Sequence, residues 1–423
     1  MFFIRIFFYF LAAVSYLSAE PLSLSVNAES AILMNADTGV ILYEKNARSL
    51  QYPASITKIA TAAYVLKIRG DQLDEILVAD QDSVAAVTSE AKRRANYTLP
   101  AYWLEHGGTH IGIKKGEELS LRDLLFGMMV ASGNDASNVI AQHIGKTIPV
   151  FMANLNTYVK ELGCENTAFC NPHGLHHPKH QTTAYDMALI TKEALKNPMF
   201  CKIVSSTQYT RPKTNKQEST TLVQTNRLLR KGKYYYPKAI GVKTGTTSQA
   251  YCTLVAAAKH NDRTLIAVVL KSKESEDRWL DSIKMFEAAF NQAKVQRVLL
   301  KKGSQKFTLD LPGAAKPIQT YIQKDVSIEY YPAEEPKVKC LLYWDSLTLP
   351  IAQKQRVGEL RLQGSNGRII QTVPLFAKEE VKSTWLFWFK NLFGGFPILS
   401  FVKFGGVVMI FGLLCAFIFR RRA

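Results

Sequence analysis

The chain has 423 residues, 47% of them hydrophobic, so it can build a large core and is too long for one ordinary domain. Its formal net charge is +18, from 53 Lys+Arg against 35 Asp+Glu. No groove-reading motif accompanies that charge, so no nucleic-acid partner is expected; an anionic membrane surface or wall polymer fits better, with general solubility as the plainer explanation.

In chain order, residues 1–19 have the layout of a cleaved signal peptide: an early charge at Arg5, an apolar stretch from Ile6 to Leu17, then the small residues Ser18 and Ala19. An uncleaved anchor is the alternative, though the apolar run is short for a span of about 20 residues. "AILMNADTGVILY", Ala31 to Tyr43, predicts a hairpin, with Asn, Asp and Gly between two apolar runs. Thr57 to Lys67 predicts a helix with Ile59, Ala62, Ala63, Val65 and Leu66 on its apolar side. Ser120 caps an expected buried helix running to Ser132; "SNVIAQHIG" starts another at Ser137, and "PVFMANLNTYVKELG" is a third, stopped by Gly163. Ala250 to Ala258 and Thr264 to Leu270 read as strands joined by the turn "KHNDR". "RWLDSIKMFEAAFNQA" reads as a helix with Leu280, Ile283, Phe286 and Phe290 at core spacing. These elements predict an α+β domain over residues 20–292, an antiparallel sheet between helical layers.

Beyond it the texture changes. "VQRVLLKKGSQKFTLDL", "VKCLLYWDSL" and "GELRLQGSNGRIIQTVPL" are short alternating strands with Gly, Asn and Asp turns, so residues 293–380 are expected to form a small all-β domain. "WLFWFKNLF", within residues 381–395, suits a membrane interface, or is simply a spacer feeding the span. Residues 396–419 are the expected transmembrane helix, with Lys403 reaching the outer headgroups; residues 420–423, with Arg420, Arg421 and Arg422, make a cytoplasmic tail. A single-pass protein of the inner membrane, its bulk outside the cytoplasm, is the expected arrangement. Of six cysteines Cys415 falls in the expected span. The other five, Cys164, Cys170, Cys201, Cys252 and Cys340, are an odd number and cannot all pair within the chain. Cys164 and Cys170 are near enough in sequence to bridge, but spacing alone does not decide it.

Three short segments carry chemistry. "YPASITKIATAAYVL" sets Ser55 and Lys58 one helical turn apart on one face, at the positive end of the helix dipole. A serine hydroxyl needs a base, and a lysine serves if burial or a second cation keeps it neutral. The plainer alternative is that Ser55 caps the helix and Lys58 is solvated. "ASGNDASN" places Ser132, Gly133 and Asn134 at a helix end, either as a cap or projecting a hydroxyl and an amide into a cleft. "GVKTGTTS" places Lys243, Thr244 and Gly245 just before an apolar strand, where lysine and threonine suit a carboxylate and glycine admits close backbone approach.

The order S-x-x-K, S-x-N, K-T-G is that of β-lactamases and penicillin-binding proteins. Residues from about Ser30 to Gln292 resemble the low-molecular-mass penicillin-binding proteins, the serine-type D-alanyl-D-alanine carboxypeptidases, through "AILMNADTGVILYEKNA", "PASITKIATA", "LLFGMMVASGNDASNVIA", "FCNPHGLHHPKHQTTAYDMALI" and "GVKTGTTSQAYCTLVAAA". The resemblance implies a β-lactamase/transpeptidase-like fold and release of the terminal D-alanine from peptidoglycan stem pentapeptides. It implies Ser55 as nucleophile, Lys58 as base, Ser132 as proton relay and Asn134 as holder of the acyl side chain. Lys243, Thr244 and Gly245 would meet the terminal carboxylate, and the N–H groups of Ser55 and Thr246 would form the oxyanion hole. No cofactor or metal is implied; β-lactams would be covalent inhibitors.

Two features depart from the family pattern. Arg227 and Arg230 lie before K-T-G, but neither aligns securely with the arginine some relatives carry there. "NPHGLHHPKH" holds His173, His176, His177 and His180, with histidine where relatives often have an acidic residue; no pattern in it fixes a zinc site. Alternative functions are a β-lactamase-like hydrolase, with Glu165 in the general region of its water-positioning glutamate, and a non-catalytic wall-binding scaffold.

Overall fold

The computed structural model describes residues 21–364 and 367–392, so the expected signal sequence and transmembrane helix lie outside the described residues. The described chain divides into two units. One runs to Ala293 and includes Tyr331–Glu334; the other holds Lys294–Tyr330 and the chain from Glu335.

The first unit is built on a five-stranded antiparallel sheet, in the order Ile41–Lys45, Ser30–Asn35, Arg263–Ser272, Tyr251–His260, Ala239–Thr247. The expected hairpin is present. Asn35 shapes its turn by accepting the Asp37 and Thr38 N–H groups at 2.8 and 3.0 Å. The two central strands are buried on both faces, which is why they read as continuous apolar runs. Alternate residues serve separate cores. Ile32, Val255 and Val268 face a layer of helices. Leu33, Leu254 and Val269 face Trp279, Met285 and Phe286 of helix Asp277–Phe290. That helix buries Phe286 and packs Ile283 and Phe290 against the same core, as its spacing suggested, but Leu280 is not part of that side. Trp279, Ser282, Met285, Phe286 and Ala289 are buried, whereas Leu280 is 48% exposed. The small polar residues at 281 and 282 hide a stripe set by Trp279, the largest side chain available.

In the helical layer, Lys58–Arg69 runs through the core and is buried on almost every side, beyond the expected apolar stripe. Helix Leu121–Val130 is capped by Ser120, whose hydroxyl accepts the Asp123 N–H at 3.1 Å. The next helix spans Asn134–Gly145 and so starts three residues before the expected Ser137; Asn134 and Asp135 belong to its first turn. Helix Ile148–Glu161 ends before Gly163, whose φ of +87° reverses the chain. Ala184–Ala194 and Pro198–Ser205 complete the layer.

The second unit contains an antiparallel five-stranded sheet in the order Gly303–Leu309, Ile318–Ile322, Ile369–Ala377, Arg356–Gln363, Lys339–Trp344, and a pair, Val295–Leu300 with Val326–Tyr330. Ile318, Ile351, Val357, Leu360 and Leu375 form its core. Helix Trp385–Leu392 exposes Trp385, Leu386 and Trp388. Among the described residues no helix is long and apolar enough to cross a membrane. Cys164, Cys170, Cys201, Cys252 and Cys340 are all free thiols, so Cys164 and Cys170 are not bridged; the Cys164 thiol instead donates to the Asp186 carbonyl.

Candidate active site

Pro53 leads into a short 3-10 turn, Ala54–Thr57, continuous with helix Lys58–Arg69. Ser55 is therefore not a cap: neither turn nor helix has a side-chain capping bond. Nor is Lys58 solvated, for it is wholly buried. Its Nζ lies 3.0 Å from Ser55 Oγ, 2.7 Å from Asn134 Oδ1 and 2.7 Å from the His173 carbonyl. A neutral amine has two donors and one lone pair. The two shorter contacts take the donors, and the lone pair is left facing the serine hydroxyl. Burial drives the Lys58 pKa well below its ordinary 10.5, the nearby Lys243 charge lowers it further, and Asp135 opposes in part.

Ser132 sits in the turn between two helices with φ +64°, a left-handed conformation uncommon for serine. The turn is tied down by Gly133 N–H to the Gly127 carbonyl at 3.0 Å and Asn134 N–H to the Thr109 carbonyl at 2.8 Å. The buried Asp135 carboxylate accepts the N–H groups of Ile111, Gly112 and Ile113 at 3.0, 2.9 and 3.0 Å, which fixes the strand of chain beside the turn.

Lys243, Thr244 and Gly245 do precede the apolar strand, now Tyr251–His260, and they lie in a strand of their own, the edge strand Ala239–Thr247 that pairs with it. The alternation was hidden because the lysine, threonine and glycine of this strand are themselves buried. Lys243 is fully buried and donates to the Thr244 carbonyl at 3.0 Å; burial, then Arg278, push its pKa down to about 7. Thr244 Oγ1 meets Thr225 Oγ1 at 2.8 Å. Gly245 is where the strand touches the serine turn: a Cβ there would stand 2.9 Å from Ser55 N and 2.4 Å from Thr253 Oγ1. Thr246 follows, its hydroxyl 2.7 Å from the Gly245 carbonyl.

Ser55, Asn134 and Thr246 line a cleft of about 260 Å³, while Lys58 and Lys243 are buried behind its surface. The arrangement brings together a hydroxyl, a base depressed by burial, a second buried cation and two polar rims, the chemical set for transferring an acyl group from a substrate that carries a carboxylate.

Several residues at the site were beyond reach of the sequence. The His173 carbonyl is a backbone contact and leaves no trace in residue type. Arg278 donates to the Gly245 carbonyl at 3.1 Å and to Thr246 Oγ1 at 3.0 Å, from helix Asp277–Phe290, which is separated from the strand by two further strands. Of the two arginines that precede K-T-G, Arg230 donates to the Gln224 carbonyl, and Arg227 is near enough to Arg278 to lower its pKa, after the larger effect of burial. The histidines are tied into packing. The His173 ring meets the Tyr102 carbonyl, and His180 meets Thr57 Oγ1 and the Cys170 N–H; burial lowers His180 to about 3. His176 lies edge-on between Tyr52 and Tyr97. Among the described residues no group of three or more His, Cys, Asp or Glu is placed to hold a metal ion. Glu165 is exposed and does not line the cleft.

Residues 16–274 match the D-alanyl-D-alanine carboxypeptidase family of peptidases. The chain is 35% identical over 370 residues to the D-alanyl-D-alanine carboxypeptidase DacF of Bacillus subtilis, covering 85% of this chain and 87% of that one. It is 30% identical over 401 residues to DacC of Escherichia coli, covering 90% and 91%. Among solved structures it resembles penicillin binding protein 5 of Haemophilus influenzae, with a TM-score of 0.57 at 26% identity over 85% of this chain and 99% of that one. It also resembles the Streptomyces K15 DD-transpeptidase, with a TM-score of 0.54 at 29% identity over 63% and 98%.

Proposed function

The chain belongs to the serine-type D-alanyl-D-alanine carboxypeptidase family, and we propose that it removes the terminal D-alanine of peptidoglycan stem pentapeptides through an acyl-enzyme on Ser55. The observation that carries this reading is the buried Lys58 amine 3.0 Å from the Ser55 hydroxyl. Lys58, neutral, takes the Ser55 proton as Oγ attacks the carbonyl between the last two D-alanines. The oxyanion that forms is met by the N–H groups of Ser55 and Thr246; in general one such donor is worth about 3–4 kcal/mol. Ser132 relays the proton from Lys58 to the leaving amine, D-alanine departs, Lys58 is neutral again, and Ser55 holds the rest of the peptide as an ester. Water then attacks the ester, giving up a proton to Lys58, which passes it to Ser55 Oγ as the bond to the acyl carbon breaks and the shortened peptide leaves. Asn134 both accepts from Lys58 and faces the cleft, where it holds the acyl side chain. Lys243, Thr244 and Arg278 hold the terminal carboxylate, and Gly245 lets the strand lie against the serine turn. β-Lactams acylate the same serine.

The enzyme works on the outer face of the inner membrane, exported by residues 1–19 and held by residues 396–419. The exposed Trp385, Leu386 and Trp388 of the preceding helix support a segment lying in the headgroup layer. Mass spectrometry of products from a D-Ala-D-Ala pentapeptide, with and without an amine acceptor, tests the reaction. Loss of a single D-alanine is expected; an unchanged pentapeptide would overturn it. For the membrane reading, the full chain should resist extraction by alkaline carbonate, and a chain cut after residue 384 should not.

A further inference from the structure

One wall of the cleft is made by residues that the reaction above does not use. Ser89, Arg93 and Tyr97 line it, from the short helix Ser89–Arg94 and the turn that follows. This wall is firmly built. Thr88 caps the helix, accepting the Ala91 N–H at 3.0 Å. Lys92, 3% exposed, turns inward to donate to the Trp103 carbonyl and to pair with Glu105 at 3.4 Å. Ala86–Val87 pairs in parallel with Leu104–Glu105 at its base. Tyr97 packs edge-on against His176 at 5.5 Å, which fastens the turn to the opposite loop.

Charges around the cleft are unevenly answered. Arg93 and Glu105 are the charged residues of its lining. The Glu105 carboxylate is balanced by Lys92. Arg94, next along the helix, is occupied by Glu90. Arg93 is exposed and has no ion pair among the described residues. The cleft thus carries one standing positive charge on a rigid wall, on a segment separate from Lys243 and Arg278. In the reading above those two take the terminal carboxylate of the substrate, on which this inference rests. The two D-alanines have methyl side chains, so a second anion must lie upstream of them, and the residue immediately before them is the nearest along the peptide.

We propose that Arg93 is a specificity-determining residue that pairs with a free carboxylate on the residue preceding the D-Ala-D-Ala pair, so that the enzyme favours acidic donors over amidated or basic ones. The test uses the full chain and three peptides, N-acetyl-X-D-Ala-D-Ala, with X as L-2-aminoadipate, its side-chain amide, or L-lysine. The readout is the ratio of kcat/KM values for D-alanine release, taken within each protein so that a general loss of activity cancels. The unaltered enzyme should favour the acid over the amide about fivefold, the upper range for an exposed ion pair. In Arg93→Gln the ratio should fall close to one, and Arg93→Lys should restore part of it; added salt should shrink it in the unaltered enzyme. The same ratio before and after Arg93→Gln, or equal loss on acid and amide with the ratio intact, would overturn the proposal while leaving the carboxypeptidase reading standing. Failure of the unaltered enzyme to release D-alanine from any of the three peptides would overturn both.

Discussion

Lys58 Nζ stands 3.0 Å from Ser55 Oγ, and the same amine is held from two other sides by Asn134 and the His173 carbonyl. Position and protonation are therefore set together: the contacts fix the amine, and burial with Lys243 nearby lowers its pKa and favours the neutral form. The proposed acyl transfer needs Lys58 neutral and Lys243 charged. Raising the pH through the depressed Lys58 value supplies the first, and raising it through about 7 removes the second. The expected kcat/KM profile is a bell, with its acid limb from Lys58 well below 10.5 and its alkaline limb near 7. Lys243→Arg should shift the alkaline limb upward in whatever activity remains, because a guanidinium stays charged. Stopped-flow acylation by a chromogenic β-lactam across pH checks both limbs. An alkaline limb unmoved in Lys243→Arg would remove Lys243 from the assignment.

How far the sequence reaches is clear from particular residues. The hairpin at Asn35, the Ser120 cap and the strands around Val255 and Val268 were legible, because each rests on a local signal of turn chemistry or periodicity. The Ala239–Thr247 strand was not. Its burial serves a lysine, a threonine and a glycine, so its pattern is polar where a core pattern was sought. Ser55, Lys58 and Asn134, picked out by motif, meet at the Lys58 amine, which also feels the Lys243 charge. The sequence could not have shown that Asn134 and a backbone carbonyl bind the same amine, because those contacts join residues 76 and 115 positions apart. Arg278 was missed for the same reason, since it reaches back 33 positions to the Gly245 carbonyl.

Gly245 is the point where strand and serine turn meet, and its φ is not the issue; space is. A Cβ would fall 2.4 Å from Thr253 Oγ1, 2.9 Å from Ser55 N and 3.0 Å from Ala54 Cβ. Two of these neighbours belong to the serine turn itself, so relief must move it. Gly245→Ala is expected to destabilise by about 1–3 kcal/mol, the usual cost of overpacking. Acylation should fall far more than stability, by about a hundredfold for a misplacement near 1 Å. Urea unfolding and acylation rate, measured on one preparation, separate the two effects. An acylation rate within a factor of about two of the unaltered enzyme would mean that the turn tolerates the shift.

A buried cation is a burden on the fold. The Lys243 pKa is about 7 in the folded protein and 10.5 in the unfolded chain, so between those values the unfolded state binds more protons. Stability from this group therefore rises with pH from about 7 toward 10.5, and the penalty is full below 7. Lys243→Met fills similar space without charge. It should abolish acylation yet raise the melting temperature at pH 7, and the gain should shrink as the pH approaches 10. Differential scanning calorimetry at pH 6.5, 8 and 9.5 is the check. A variant that melts lower than the unaltered protein at every pH would show that the Lys243 contact with the Thr244 carbonyl outweighs the cost of burial.

Arg278 donates to both the Gly245 carbonyl and Thr246 Oγ1, while its guanidinium carbon lies over the Trp279 ring, 4.7 Å from its centroid. The guanidinium is thus fixed beside the segment proposed to hold the terminal carboxylate, with Arg227 adding positive potential. A charge-assisted hydrogen bond to substrate is worth about 1.5–3 kcal/mol, so Arg278→Gln should lower kcat/KM for a D-Ala-D-Ala peptide by roughly 10- to 100-fold. The loss should depend on the substrate's own charge. For the same peptide with its C-terminal carboxylate blocked as an amide, the unaltered enzyme and the variant should react at similar low rates, since no anion remains for the arginine to meet. If the variant loses equally on both peptides, Arg278 acts by holding Gly245 and Thr246 in place, and the carboxylate must be bound by Lys243 and Thr244 without it.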